Sequence, residues 1–240
     1  MQHLGHTRSS YQRDHLLHTP DTFVRAPLPG MLNATAIVHA APAMGARFTQ
    51  YTVELDGGGS FEIGRAQCFL YVLDGVVELG DHKLSPGQYA WLPPDYCARI
   101  QAEAPSRVAV IEKAYTPGNV PVPAAIFGDE SSVPPKPLSA GDDTIDVRNL
   151  LPDDFRFDCA VNTMTYLPGA ALPMVEIHIM EHGLLMLEGG GIYRLGDHWY
   201  PTQAGDFIWM ASYCPQWFGA LGKVPAKYLI YKDWNRHPLP

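Results

Sequence analysis

Residues 70–97 read LYVLDGVVELGDHKLSPGQYAWLPPDYC, and residues 184–214 read LLMLEGGGIYRLGDHWYPTQAGDFIWMASYC. Each stretch opens on an apolar run that ends in an acidic residue and a glycine, Asp74-Gly75 or Glu188-Gly189. Each then carries Gly-Asp-His, a glycine that opens a second apolar run (Gly87; Gly205), and a closing Tyr-Cys. The offset grows from 114 residues at the first glycine to 117–118 beyond the second hairpin, which is therefore longer in the later copy. Two copies spaced by about half of a 240-residue chain predict a duplicated β-domain, not a solenoid of short repeats.

The rest of the chain has the same grain. FTQYTVEL (48–55), RVAVIEKAY (107–115) and AKYLIYKDW (226–234) are short runs of β-branched, aromatic and leucine residues between turn signals. Runs of this length and spacing predict the strands of a sandwich or barrel. No apolar pattern of helical period persists beyond about two turns, so the predicted class is all-β. Residues 116–143 hold six prolines with serine and glycine and read as a linker. The expected organisation is an N-terminal domain over 1–115 that includes an irregular arm of about 35 residues, the linker, and a C-terminal domain over 144–240. The arm reads as a segment that packs on a neighbouring domain or subunit.

Composition excludes several functions. Seventeen basic against 25 acidic side chains give a formal charge of −8 with no basic cluster, a poor match to a phosphate backbone, so nucleic-acid binding is set aside. No run approaches the 18 apolar residues of a membrane span, and the polar N-terminus lacks the apolar core of a secretory signal. Cys68, Cys97, Cys159 and Cys214 are far apart with no Cys-x-x-Cys, which reads as reduced thiols. A cytoplasmic location is the expectation.

The chemistry concentrates in Glu176-Ile177-His178-Ile179-Met180-Glu181-His182. Glu176, His178 and His182 stand at i, i+2 and i+6, so on a strand all three share one face. A carboxylate and two imidazoles suit a divalent first-row metal. A helix would also align His178 with His182, but zinc-protease helices place Glu directly after the first His, and Pro168, Gly169, Pro173 and Gly183 oppose a helix here. Tyr228, Ile230 and Lys232 alternate on the last predicted strand, so the tyrosine and lysine face one cavity. The other histidines have no second metal spacing, and Trp209 and Trp217 read as core.

The series Glu176-x-His178-x3-His182-x6-Gly189, followed by Gly205-Asp206-Phe207, resembles the paired motifs of cupins in a rearranged form. Glutamate takes the first histidine position, His182 the glutamate position, and Gln216 the place of the histidine in the second motif. This set resembles the bicupin (S)-ureidoglycine aminohydrolases, over essentially the whole chain including Tyr231-Lys232-Asp233-x-Asn235-Arg236. The resemblance implies two tandem jelly-roll-like cupin barrels and a Mn2+ ion held by Glu176, His178, His182 and Gln216. It further implies hydrolytic deamination of (S)-ureidoglycine to (S)-ureidoglycolate and ammonia in purine and allantoin breakdown. Tyr193, Tyr228 and Lys232 would bind the small ureido substrate, with Lys232 also the catalytic acid–base. A homo-oligomer is expected by analogy.

Aligned on Gly75, the first copy offers Glu62, Gly64, Cys68 and Ala98 at the ligand positions, so it is expected to be metal-free and structural. Its Lys113 matches Lys232, but Ala109 stands where Tyr228 does. Two other readings remain at this stage. Two histidines and a carboxylate also make the facial triad of Fe(II) dioxygenases, which a fourth ligand disfavours. The other is a non-enzymatic metabolite-binding bicupin, although no helix-turn-helix pattern accompanies it.

Overall fold

A computed structural model describes residues 6–234. It is built almost wholly of strands, with three single-turn 3-10 helices among the described residues. The chain opens with β1 (Ser10–Tyr11) and β2 (His15–His18). There follow β3 (Leu32–Ala40), β4 (Thr49–Ile63), β5 (Gln67–Asp74), β6 (Val77–Leu79), β7 (His82–Leu84), β8 (Gln88–Leu92), β9 (Ala98–Ala102), β10 (Ser106–Lys113) and β11 (Ile126–Asp129). The later part supplies β12 (Lys136–Pro137), β13 (Ile145–Asn149), β14 (Ala160–Tyr166), β15 (His182–Glu188) and β16 (Gly190–Leu195). It ends with β17 (His198–Gln203), β18 (Phe207–Met210), β19 (Gln216–Ala220) and β20 (Ala226–Lys232). No helix is long and apolar enough to cross a membrane.

The chain divides into two compact units. One comprises residues 24–133 and 154–158, the other residues 6–23, 134–153 and 159–234. These bounds depart from those expected. The N-terminal segment belongs with the later unit, and the proline-rich stretch is shared between the two instead of standing apart. The reason is backbone pairing. β2 adds to the free edge of β18, with Leu16 opposite Trp209 and Leu17 opposite Ile208. β11 covers the equivalent edge of β8 in the earlier unit, with Phe127 opposite Ala90. An uncovered edge leaves a row of unpaired amides and carbonyls, so each copy borrows a strand from outside the repeat.

The earlier unit is a sheet in the order β11-β8-β5-β10-β4-β9-β6-β7, with β3 also on β4. Its interior is aliphatic: Val53, Leu70, Val72, Ala90, Leu92, Val108 and Val110 are buried together. The later unit has a sheet ordered β1-β2-β18-β15-β20-β14-β13-β12 and a smaller one ordered β17-β16-β19. Leu184, Met186, Ile208, Met210, Tyr228 and Ile230 alternate inward along their strands and pack with Met164, Tyr166 and Phe218. Each such side chain contributes about 1.5–3 kcal/mol by leaving water. The glycine that closes the first run of each repeat sits at positive φ, 73° at Gly75 and 61° at Gly189. A Cβ on Gly189 would also lie 2.3 Å from the Pro225 carbonyl oxygen, and one on Gly75 2.3 Å from Ser106 Oγ. That double demand accounts for the glycine at this position in both copies.

The N-terminal segment is tied down by polar groups. Arg8 grips the fully buried Asp206 through two contacts, at 2.5 and 2.8 Å. His15, 1% exposed, lies 2.9 Å from both Asp14 Oδ1 and the Tyr200 hydroxyl.

Two outcomes are expected. Gly189→Ala should destabilise the protein by at least about 2 kcal/mol, read as a lower urea midpoint. Burial lowers the His15 pKa, against the opposing pull of Asp14. Below the unfolded value of about 6.5 the unfolded chain therefore takes up a proton that native His15 refuses, and stability falls. Thermal unfolding at pH 7.5 and 5.5 should show this loss, and His15→Gln should reduce the difference between the two.

Candidate metal centre

The segment from Leu167 to Glu181 leaves regular strand geometry. Glu176, His178 and His182 therefore do not share a face by alternation along one strand, as the spacing predicted. Glu176 forms an isolated bridge with Gln216, His178 lies outside any strand, and only His182 stands on one, at the start of β15. Pro168 and Pro173 lack the amide a ladder needs, and Gly169 turns the chain at φ 85°. Another set of contacts holds the segment. The Glu176 amide donates to the Gln216 carbonyl at 2.8 Å, and the Gln216 amide donates back to the Glu176 carbonyl at 2.9 Å. The Tyr213 amide reaches the His178 carbonyl at 2.7 Å.

Four side chains converge as a result. His178 Nε2 lies 3.4 Å from His182 Nε2, 2.7 Å from Gln216 Nε2 and 3.7 Å from Glu176 Oε2. His182 is 2% exposed, and burial, with Lys232 and His178 nearby, holds its pKa well below the usual imidazole value. It is neutral, and its Nδ1 faces the Tyr231 carbonyl at 3.3 Å. The single proton thus sits on Nδ1, and the Nε2 lone pair points at the other donors. His178 Nδ1 is buried without a partner. Neighbouring donors on an octahedral ion with bonds of about 2.1 Å stand about 3 Å apart, so these separations fit. Turning the Gln216 amide by half a turn would present its oxygen to the same point. The donor set of two imidazoles, a carboxylate and a carboxamide fits a divalent first-row cation.

These residues line a chamber of about 230 Å³ that Tyr193, Tyr228 and Lys232 also line. Register places Lys232 opposite His182 on one side and Ala160 on the other. Enclosure lowers the Lys232 pKa, with Glu176 opposing. Burial pushes the Tyr193 and Tyr228 phenols well above their ordinary range, so both stay protonated. The Tyr228 hydroxyl is 2.7 Å from that of Tyr166, a residue the sequence reading passed over. It also passed over Glu181, 2% exposed, whose carboxylate accepts from Trp209 Nε1 at 2.8 Å. Glu181 stands next to His182 in sequence, and a carboxylate flanked by Met180 and a candidate ligand was the one signal available.

A second donor group lies in the same unit. Asp14, His15 and Cys214 place one donor atom each within 4.8 Å of one another. Both His15 nitrogens already have partners, and burial with Asp14 nearby pushes the Cys214 thiol up to about 12. His15 is thus engaged on both sides, by Asp14 and by Tyr200, whereas His178 Nδ1 is buried without a partner. In the earlier unit the aligned positions hold other chemistry. Glu62 pairs with Arg99 at 2.7 Å on the surface, Cys68 is wholly buried, and Lys113 contacts the fully buried Asp158 at 2.5 Å.

No family model matches the chain. Curated relatives do. The chain is 38% identical to a probable (S)-ureidoglycine aminohydrolase of Oryza sativa subsp. japonica, over 98% of this chain and 78% of the relative. It is 38% identical to the (S)-ureidoglycine aminohydrolase of Arabidopsis thaliana, over 98% and 80%. It is 32% identical to that of Escherichia coli (strain K12), over 92% and 88%. Among solved structures, a putative glyoxylate induced protein from Pseudomonas aeruginosa superposes with a TM-score of 0.87 at 31% identity, over 96% and 92% of the two chains. The Escherichia coli protein Ylba superposes with 0.85 at 27%, over 96% of each. A Bacillus subtilis oxalate decarboxylase shares the fold at a TM-score of 0.69 and 12% identity, over 95% and 79%.

Prolonged chelation should remove metal without unfolding the chain, and His178→Ala or His182→Ala should abolish metal retention. Elemental analysis after gel filtration reads both outcomes. Cys214→Ala should leave metal content unchanged.

Proposed function

Because the chain belongs to the (S)-ureidoglycine aminohydrolase family, we propose that it hydrolyses (S)-ureidoglycine to (S)-ureidoglycolate and ammonia, with manganese as its metal. We read its two β units as tandem cupin barrels, of which the later carries the chemistry. The observation that carries this reading is the convergence of Glu176, His178, His182 and Gln216 in one chamber with Lys232 and two neutral tyrosines.

When bound, the ion would supply Lewis acidity. The protein does the rest. Glu176, His178, His182 and Gln216 would hold the ion, and the bridge between Glu176 and Gln216 keeps the carboxylate and the amide on the same side of the chamber. Lys232 stands opposite His182, and a lysine whose pKa is lowered by enclosure can take a proton from incoming water and return one to departing ammonia. Tyr193 and Tyr228 offer hydroxyl donors that stay protonated. Tyr166 orients Tyr228 through their shared hydrogen bond. The apolar walls, Met164, Leu172 and Ile230 among them, limit water in the chamber.

The test is NMR of freshly generated (S)-ureidoglycine with manganese-loaded and chelator-treated protein. Metal-dependent ammonia release giving the (S)-product alone is expected, and a rate equal to spontaneous decay would refute the reading. Lys232→Ala should keep its metal and lose about 10²–10⁴-fold in turnover, the usual range for a general acid–base group.

A further inference from the structure

Beyond Lys232 the same unit carries a second, partly open pocket of about 110 Å³, with Asn149, Pro152, Asp153 and Trp234 at its exposed rim. Lys232 and Trp234 line both this cavity and the metal chamber, so the two spaces adjoin. A pair of carboxamides marks the smaller one: Asn162 Nδ2 donates to Asn149 Oδ1 across β13 and β14. Asn162 is 4% exposed and stands opposite Ile230, two residues from Lys232, on the inward face of the barrel.

Neighbouring inward positions on β14 carry Met164 and Tyr166, which belong to the apolar core. A buried carboxamide there costs free energy unless its hydrogen-bonding capacity is used. Each carboxamide has two donor hydrogens and an acceptor oxygen. The mutual bond uses one donor of Asn162 and the oxygen of Asn149, and neither side chain makes another hydrogen bond among the described residues. The Asn162 oxygen and the Asn149 amino group are thus left over, an acceptor beside a donor. Asp153 adds a carboxylate, held by Trp234 Nε1 at 3.1 Å. Away from Lys232, the acceptors Asn162 Oδ1 and Asp153 beside the donor Asn149 Nδ2 suit a neutral group with several N–H donors and one carbonyl.

We propose that this cavity is the subsite for the carbamoyl end of the substrate, with Asn162 Oδ1 accepting from its N–H groups and Asn149 Nδ2 donating to its carbonyl. The assignment rests on the reading that the carboxylate and amine end of a ureido compound faces the metal. It makes Asn162 and Asn149 specificity-determining residues, separate from the metal ligands and from Lys232.

Titration calorimetry of the manganese-loaded protein with N-carbamoylglycine and N-acetylglycine tests it, because the two differ by NH2 against CH3 at the end concerned. The wild type should bind the carbamoyl compound at least about tenfold more tightly, as for a site built around a substrate N–H. Asn162→Leu should bring the two affinities within about twofold, chiefly by weakening the carbamoyl compound, while metal content stays unchanged. Asn149→Ala, at an exposed position less critical to folding, should reduce the preference in part. Equal binding of both compounds by the wild type, or a preference kept in both variants, would overturn the subsite. Turnover of (S)-ureidoglycine by the wild type is measured separately. Its absence beside an intact preference would sink the reaction and leave the subsite standing.

Discussion

The site depends on two backbone hydrogen bonds, those exchanged between Glu176 and Gln216. They join an irregular segment to β19 and bring a carboxylate and a carboxamide forty positions apart in the chain to the same place. Around that bridge, each sheet of the unit adds what its register allows. β15 delivers His182, and β20 delivers Lys232 opposite it and Tyr228 four pairs further along. No continuous strand connects Glu176 and His178 to His182, so the bridge and the Tyr213–His178 backbone bond fix their relation. A rigid strand scaffold beneath a short irregular segment lets four donors meet at one point while the rest of the interior stays apolar.

The two copies of the repeat use one frame for different ends. In the earlier unit the lysine that matches Lys232 is spent on a buried ion pair. Asp158 accepts from Lys113, from Gln67 Nε2 at 2.6 Å and from the Thr116 amide at 2.7 Å. A buried carboxylate is tolerable when several donors satisfy it, and removing one partner would leave an uncompensated charge. In the later unit the corresponding lysine borders an open chamber and an adjoining cavity. Among the described residues the two units thus differ in whether the matching lysine has a fixed carboxylate partner.

Much of this organisation was legible beforehand, for identifiable reasons. The paired Gly75 and Gly189 mark left-handed turns that only glycine tolerates against a neighbouring backbone or side chain, so the repeat was visible as a turn pattern. Alternation along β20 correctly put Tyr228 and Lys232 on one face, because that strand is continuous. Alternation from Glu176 to His182 did not describe the backbone, because prolines at 168 and 173 interrupt it. Asp158, Tyr166 and Asn162 carried no local signal, since each acquires its meaning from a partner on another strand.

The sequence by itself determined the β class, the duplication, the residue types able to hold a divalent cation and the family to which the chain belongs. Those follow from period, turn chemistry and residue identity, which are local properties. Only the tertiary structure decided which strands cover the edges at β8 and β18, how the chain divides, and which donors face one point. It also decided that the space beyond Lys232 is lined by carboxamides. Such features depend on inter-strand register and on contacts between residues distant in the chain, and a linear pattern does not encode the distance between side chains that meet only after folding.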